Sequence, residues 1–306
     1  MKKITLACVQ ATPAIMDKDK SLQKVLDWME NAADKGVDII LFPESFIPAY
    51  PAGMDFGTVV GSRTEEGRRQ FQLYWENSVE VPGKEITLLA EAASKYGMFL
   101  AIGVTERDLI TKTLYCTLLY FSPEGKLLGK HRKLKPTAAE RIIWGEGDGS
   151  TLGSFNTELG KIGGLICWEN YMPLARMAMY EQGVEIYLAP TADSRDTWQA
   201  TMVHIALEGR CFVIGCNQYF SKSDYPEDLR EKLAKDRPDI LSRGGSVIVS
   251  PLGEILAGPL FDEEGLLIAE VDLGDLIQAR MDFDPAGHYN RPDVFDFRVK
   301  KGSDQV

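Results

Sequence analysis

The sequence predicts an α/β or layered α+β protein, in which strands and amphipathic helices share one core. Short apolar runs rich in β-branched and aromatic residues recur along the 306 residues, as buried strands require. Between several runs, apolar residues recur at helical spacing and fall on one face. No Pro/Gly/Ser-rich linker, low-complexity tract or repeat interrupts the chain. Residues 1–306 are therefore predicted to form a single domain with a short C-terminal tail.

The predicted elements follow in chain order. Strands are predicted at residues 5–9, 39–42, 99–104, 116–121, 162–167, 186–189, 212–216, 246–249 and 266–271. One helical face is formed by Leu22, Val25, Leu26, Met29 and Ala33, and a second by Leu88, Leu89, Ala92, Ala93 and Tyr96. Gly97 and Gly183 stand where helices should end, and Ser122-Pro123-Glu124-Gly125 is typical of a turn between strands.

Two long stretches interrupt this alternation. Residues 48–67 are rich in glycine, proline and aromatic residues, and residues 221–239 carry charges of both signs with two prolines. Loops of this length are usually functional or lie at interfaces. The alternative is that both are solvent-exposed excursions.

Composition restricts the partners and the compartment. A net charge of −11 and a pI near 4.9 argue against nucleic acid or an anionic membrane, because an acidic surface repels both. A small uncharged substrate is compatible with this charge. Five irregularly spaced cysteines and the absence of an N-x-S/T sequon predict reduced thiols in the cytoplasm. The N-terminus has no apolar leader, and no run approaches the roughly 20 apolar residues of a membrane helix.

Missing motifs exclude several reaction classes. The sequence has no G-x-S-x-G elbow, phosphate-binding P-loop, H-E-x-x-H or C-x-x-C pair. The glycines at 145, 147 and 149 lack the spacing and preceding strand of a dinucleotide site, so this segment is interpreted as a loop. The three histidines are scattered and lack ligand spacing. Chemistry without metal, cofactor or imidazole is therefore predicted.

Cys167 is the first candidate for that chemistry. It ends an apolar run and opens the polar turn Trp168-Glu169-Asn170 before Pro173, a pattern typical of the start of a helix. Backbone N–H groups and the positive end of a helix would lower the pKa of its thiol. The alternative is a core cysteine, because free cysteine is among the most buried residue types.

Glu44 and Lys133 are the other candidates. Glu44 follows the apolar run that ends at Pro43, so its carboxylate should lie at the carboxyl end of a strand, where open sheets bind ligands. A surface-loop glutamate is the alternative. Lys133 lies in a basic run, residues 130–135, which is usually a solvated strand edge. Periodicity does not connect these residues with Cys167.

A family resemblance supplies the connection. Phe42-Pro43-Glu44-Ser45-Phe46, His131-Arg132-Lys133-Leu134-Lys135-Pro136-Thr137 and Cys167-Trp168-Glu169-Asn170 resemble the glutamate, lysine and cysteine motifs of the nitrilase superfamily, in the expected order. Further matching segments are residues 140–141, 144–149, 204–210 and 287–292. The resemblance covers nearly the whole chain.

The resemblance implies a fold and an assembly. It implies an α-β-β-α sandwich that dimerises to a four-layered core, and relatives extend such dimers into larger homo-oligomers, including spirals. Trp168-Glu169 directly after the cysteine is similar to true nitrilases and cyanide-converting relatives, rather than to amidases and carbamoylases, so the resemblance favours a small-molecule nitrile substrate over an amide. Asn170 departs from the histidine of many relatives and leaves the substrate range open.

The resemblance also implies roles for individual residues. Cys167 is the expected nucleophile, Glu44 the general base and Lys133 the cationic partner, with Glu140 supporting Lys133. The expected substrate-binding residues are Trp168, His131, Tyr50, Trp144 and Thr191. Cys8, Cys116, Cys211 and Cys216 are interpreted as packing residues. The alternatives are a nitrile or cyanide hydratase or an amidase on the same scaffold, a catalytically silent member of the superfamily, and a thiol redox protein.

Overall fold

Two β-sheets face each other in the computed structural model, which describes residues 2–301, and helices cover the outer side of each sheet. The strands are β1 (Lys3–Gln10), β2 (Ile39–Ile47), β3 (Thr58–Val59), β4 (Ser62–Arg63), β5 (Phe99–Arg107), β6 (Leu114–Phe121), β7 (Leu127–Arg132), β8 (Ser154–Thr157), β9 (Gly160–Gly164), β10 (Ile186–Thr191), β11 (Phe212–Asn217), β12 (Tyr219–Ser221), β13 (Ile240–Val249), β14 (Ile255–Phe261) and β15 (Gly265–Asp272). The helices are α1 (Lys18–Ala33), α2 (Glu65–Glu76), α3 (Lys84–Tyr96), α4 (Pro173–Glu181), α5 (Thr197–Gly209), α6 (Glu227–Arg230) and α7 (Gly274–Ala279).

Each sheet has a parallel centre with antiparallel strands beside it. The first sheet has the order β15-β1-β2-β5-β6-β7, and the second has the order β12-β13-β11-β10-β9-β8 with β14 paired to β13. Strands β1, β2 and β5 run parallel, as do β9, β10 and β11. Parallel neighbours end at the same edge of a sheet, so the residues that follow them lie close together.

Side-chain alternation along the strands explains the layers. In β1, Leu6 and Cys8 pack between the two sheets, whereas Ala7 and Val9 pack under the first helical layer, α1 and α3. The second sheet is covered by α4 and α5 in the same way. Because both faces of the central strands are buried, their sequences are continuously apolar. All four layers of the predicted α-β-β-α sandwich are formed by one chain, which confirms the fold class; the dimer core stays a prediction.

Local signals in the sequence match the element ends. Gly97 adopts a left-handed conformation, with φ of 63°, at the end of α3, as a C-cap glycine should. Gly183, with φ of 75°, follows α4. The turn predicted at residues 122–125 connects β6 and β7, and the Gly125 N–H donates to the Ser122 carbonyl at 2.9 Å. The strand predicted at 162–167 ends earlier, at Gly164, because Cys167 opens a short 3-10 turn.

The two long stretches pack against each other. Residues 48–67 contain the β3–β4 hairpin, and residues 221–239 contain α6. The Ala234 N–H donates to the Gly53 carbonyl at 3.0 Å, and the buried Tyr225 hydroxyl donates to the Ala52 carbonyl at 2.8 Å. The two stretches therefore form one packed unit, although most residues of 221–239 remain exposed to solvent.

Two further expectations concern particular parts of the chain. Among residues 2–301, no helix is long and apolar enough to cross a membrane. The end of the predicted C-terminal tail, residues 302–306, lies outside the described residues.

Candidate active site

The structure brings Glu44, Lys133 and Cys167 into one buried cluster. Glu44 lies where the pairing of β2 with β5 becomes irregular, between Phe42 and Ile47. Lys133 follows the last residue of β7, and Cys167 lies three residues beyond β9. The cluster therefore combines one loop of the second sheet with two positions of the first sheet.

The irregularity in β2 depends on a close approach by its neighbour β5. A Cβ added at Gly103 would lie 2.3 Å from the Pro43 carbonyl oxygen and 2.6 Å from the Cα of Glu44, which is too close for any side chain. The Gln218 amide also donates to the Glu44 carbonyl at 2.5 Å. Glu44 is held from both sides and is fully buried, so the surface-loop alternative is wrong.

Lys133 forms two buried ion pairs. Its Nζ donates to Oε1 of Glu44 at 2.6 Å and to Oε2 of Glu140 at 2.8 Å. Burial by itself would lower the pKa of Lys133, but the negative charge of Glu44 raises this pKa well above its ordinary value. Cys167, when it is a thiolate, and Glu140 raise it further. Lys133 therefore keeps its positive charge and does not lie on a solvated strand edge.

Glu140 is held by three donors. Besides Lys133, the Thr137 N–H donates to Oε2 at 2.6 Å and the Tyr50 hydroxyl donates to Oε1 at 2.8 Å. Glu140 also closes a capping box at the start of its own short 3-10 turn. A carboxylate fixed in this way holds the Lys133 ammonium beside Glu44.

Cys167 lies on a sharp turn. Its φ is +51°, and the Asn170 side-chain amide donates to the carbonyls of Cys167 and Leu165 at 2.8 and 3.0 Å. The Thr191 hydroxyl donates to Sγ of Cys167 at 3.2 Å. Asn170 departs from the histidine of many relatives, and the sequence left its effect on substrate range open. In the structure it is buried and stabilises the turn through hydrogen bonds to the backbone.

The pKa of the Cys167 thiol is raised, not lowered as the sequence predicted. Burial raises it most, the Glu44 carboxylate raises it further, and the Lys133 ammonium opposes them. The expected helix end is absent at the sulfur because Cys167–Tyr171 form a 3-10 turn and α4 begins only at Pro173. The resting thiol is therefore protonated and needs a base.

Glu44 has the properties of that base. Burial raises the pKa of its carboxyl group, although the Lys133 charge lowers it. Its Oε1 accepts from Lys133 and, at 3.4 Å, from the thiol of Cys116. Its buried Oε2 has no hydrogen-bond partner within residues 2–301, so this oxygen is available to take a proton. Cys116, interpreted from sequence as packing, also contacts the carboxylate, which its apolar strand sequence did not indicate.

A cavity of ≈ 190 Å³ opens at Cys167. Its lining residues are Tyr50, Thr137, Glu140, Cys167, Trp168, Ala192, Asp193 and Arg195. Tyr50 and Glu140 also line a second cavity of ≈ 430 Å³, formed largely by the two long stretches. The two packed stretches therefore line a cavity that adjoins the site.

The predicted substrate-binding residues separate into three groups. Tyr50 and Trp168 line the inner cavity, and the Trp168 ring is 41% exposed. Thr191 contacts the sulfur from beneath. Trp144 is buried behind Tyr50, with ring centroids 5.7 Å apart in an edge-to-face arrangement. Trp144 and His131 are outside the cavity lining, and His131 is turned away, with Nε2 bonded to Glu169.

Sequence reasoning missed Asp193 and Arg195. Asp193 accepts from the Trp168 indole at 2.9 Å and from the Arg195 guanidinium at 2.5 Å, so the three residues form one wall of the cavity. Both follow the carboxyl end of β10, which is the kind of position that the sequence predicted for Glu44, although β2 continues to Ile47. The same argument would have found them.

A buried cysteine, a fixed ammonium and a carboxyl group whose Oε2 has no hydrogen-bond partner among residues 2–301 are the groups that a cysteine-dependent hydrolase requires. The family described as carbon-nitrogen hydrolase matches residues 5–281. The chain belongs to this family, the nitrilase superfamily, as its motifs predicted.

Individual relatives support the family assignment, and solved structures show the same fold. The chain is 50% identical to an aliphatic nitrilase of Sinorhizobium fredii over 96% of this chain and 95% of that protein. It is 51% identical to a nitrilase of Bradyrhizobium diazoefficiens (96% and 91%) and to a bifunctional nitrilase/nitrile hydratase of Lupinus angustifolius (95% and 84%). The fold resembles Nit3 of Saccharomyces cerevisiae, with a TM-score of 0.73 and 22% identity over 95% of this chain and 97% of that chain. A carbon-nitrogen hydrolase of Helicobacter pylori gives a TM-score of 0.74 at 21% identity, over 96% and 97%.

Proposed function

We propose that this protein is a nitrilase that hydrolyses an organic nitrile to the carboxylic acid and ammonia. The observation that carries the proposal is the arrangement around Glu44, whose Oε1 is fixed by Lys133 while its buried Oε2 has no hydrogen-bond partner among residues 2–301. The Cys167 thiol is near enough to this carboxyl group to lower its pKa by hydrogen bonding. The relatives named as nitrilases, about half identical over nearly the whole chain, support the same activity.

Formation of a covalent intermediate follows from these groups. A nitrile carbon is a weak electrophile, so the reaction needs a strong nucleophile, a proton for nitrogen and stabilisation of negative charge. Oε2 of Glu44 takes the proton of Cys167, and the sulfur forms a bond to the nitrile carbon. The nitrogen then takes that proton, and a thioimidate results. Lys133 and the backbone N–H of Trp168 stabilise the developing charge on nitrogen.

Two water molecules complete the cycle. Glu44 removes a proton from the first water, which adds to the thioimidate carbon and forms a tetrahedral adduct. When its nitrogen is protonated, ammonia leaves and an acyl-thioester remains. A second water cleaves the thioester, releases the acid and returns the proton to sulfur. These steps use no cofactor or metal.

The same tetrahedral adduct could also release an amide, which is the reaction of the main alternative, a nitrile hydratase. If sulfur leaves instead of nitrogen, the product is an amide. A difference of about 1.4 kcal/mol between the two exits changes the acid-to-amide ratio tenfold. The paired Glu44 and Lys133 place a proton donor beside nitrogen, which favours ammonia loss and the acid.

Product analysis tests the proposal. An aliphatic dinitrile, an arylacetonitrile, benzonitrile and cyanide would each be incubated with the protein, with ammonia, acid and amide measured early in the reaction. We expect at least one organic nitrile to give mainly acid and ammonia. Amide as the dominant early product would support the hydratase instead. Turnover of the matching amides, with none of the nitriles, would identify an amidase.

The assembly and compartment belong to the same proposal. The second helical layer and the turn before it expose apolar side chains, namely Tyr171, Met172 and Leu174 around the start of α4 and Leu207 on α5. A second copy would bury this face in a homodimer, which larger assemblies such as spirals could extend. All five cysteines are buried thiols, which suits a reducing cytoplasm.

A further inference from the structure

Glu169, which follows the nucleophile by two residues, is buried and does not line the cavity. Its Oε1 accepts from the Leu134 N–H at 2.6 Å, and its Oε2 accepts from the Ile166 N–H at 2.7 Å. The ring Nε2 of His131 lies 3.1 and 3.0 Å from the two oxygens. The partners of this carboxylate are thus two backbone N–H groups and one buried ring, which hold it in a fixed position.

The two backbone donors flank two residues of the active site. Leu134 directly follows Lys133, and Ile166 directly precedes Cys167. Lys133 belongs to the edge of the first sheet, whereas Cys167 belongs to a turn of the second. One carboxylate therefore joins the backbone beside the cation to the backbone beside the nucleophile, across the two sheets.

We propose that Glu169 is a positioning residue that fixes the separation between the Lys133 ammonium and the Cys167 sulfur. It acts through the backbone and does not touch the substrate. Displacing a reacting group by about 1 Å can cost roughly 100-fold in rate. Loss of this bridge should therefore affect turnover more than substrate binding.

Glu106 provides a matched control. It is also a buried carboxylate, and it accepts hydrogen bonds from the side chains of Lys130 and Arg132 on β7. Among residues 2–301, its carboxylate accepts only from side chains of β7 and of the neighbouring β6, and from no backbone N–H beside Lys133 or Cys167. A general effect of removing a buried charge should appear equally in Glu106→Gln and Glu169→Gln.

The first test measures the pH dependence of Cys167 alkylation by iodoacetamide, read by mass spectrometry of the Cys167 peptide. If Lys133 moves away from the sulfur, the thiolate is less stabilised, so Glu169→Gln should shift the alkylation midpoint to higher pH. Glu106→Gln should leave the midpoint unchanged. An unchanged midpoint in Glu169→Gln, or an equal shift in both variants, would overturn the proposal. Because alkylation needs no nitrile, this test stands even if the nitrilase assignment fails.

The second test uses steady-state kinetics on a nitrile that the wild-type protein hydrolyses, and it rests on the proposed function. We expect Glu169→Gln to lower kcat roughly 100-fold with KM within about twofold. Glu169→Asp keeps the charge but reaches only one of the two N–H groups, so its kcat should be intermediate, and it serves if Glu169→Gln does not fold. Melting curves establish that each variant is folded. A folded Glu169→Asp variant with the wild-type kcat and the wild-type pH midpoint of Cys167 alkylation would also refute the positioning role.

Discussion

Lys133 donates from Nζ to Oε1 of Glu44 at 2.6 Å, with both side chains inaccessible to solvent. This contact distinguishes the two oxygens of Glu44, since Oε1 is occupied while Oε2 has no hydrogen-bond partner in the described part of the chain. The two side chains also differ in charge state. Lys133 stays positively charged, whereas the raised pKa of Glu44 allows its carboxyl group to take up and release a proton. The predictions below follow from this arrangement.

Replacement of the proposed nucleophile should remove activity and leave the fold. Cys167→Ala deletes the covalent route, whereas losing one sulfur at the edge of a cavity costs little stability. Ammonia release and a thermal melt measure the two effects together. Cys211→Ala, at a buried cysteine beyond the site, is the control and should retain turnover. Near wild-type activity in Cys167→Ala would remove Cys167 from the mechanism, and collapse of its fold would favour a core role.

Glu44 and Lys133 should act as one unit. Glu44→Gln and Lys133→Ala are each expected to lower kcat by orders of magnitude, and the double variant should be little worse than either single variant. Removing one partner also leaves a buried charge with fewer partners, so each single variant should melt at a lower temperature than the wild type. A double-mutant cycle in kcat measures the coupling. Independent, additive losses would contradict a shared step.

The Thr191 hydroxyl should help to stabilise the thiolate. It accepts from the Asp193 N–H at 2.9 Å, so its proton is directed to Sγ of Cys167, and this bond lowers the pKa of the thiol. Thr191→Val should shift the pH midpoint of Cys167 alkylation upward, and Thr191→Ser should restore the wild-type midpoint. Equal midpoints in the Val and Ser variants would refute this role.

Gly103 should be required for the position of Glu44. Gly103→Ala places a Cβ against the backbone of residues 43–45, and such overpacking costs about 1–3 kcal/mol of stability. Because Glu44 itself must shift, turnover should fall as well. Gly153→Ala is a matched control, since a Cβ there meets no atom within 4 Å. Chemical denaturation measures the stability and ammonia release measures the turnover. Equal stability and turnover in the two variants would argue against a close approach of Gly103 to the backbone of Glu44.

The apolar face of the second helical layer should form a homodimer. Leu174 is 70% exposed on that face, so Leu174→Asp would bury a charge in the interface and should give a monomer. Ile110→Asp changes a residue that is 91% exposed on a loop of the first sheet and should leave the mass unchanged. Light scattering at micromolar concentration measures the molecular mass of both variants. A monomeric, active wild-type protein would show that the dimer is not required.

The sequence predicted the family, nine of the fifteen strands among residues 2–301 and two of the helices. Buried strands alternate with amphipathic helices because each pattern is local, and Gly97 and the turn at residues 122–125 have the conformations that their residue types favour. The motifs around Glu44, Lys133 and Cys167 identified the superfamily because their residues and order are visible in one dimension. Their catalytic roles stay predictions.

Only the tertiary structure decided how these residues meet. Glu44, Lys133 and Cys167 are far apart in the chain, and periodicity within a strand carries no information about which loops of two sheets converge. The contact of Cys116 with Glu44 and the orientation of His131 toward Glu169 follow from that convergence. The raised pKa of Cys167 also follows from that convergence, because folding buries the thiol beside the Glu44 carboxylate, while the helix end expected from the sequence is absent at the sulfur.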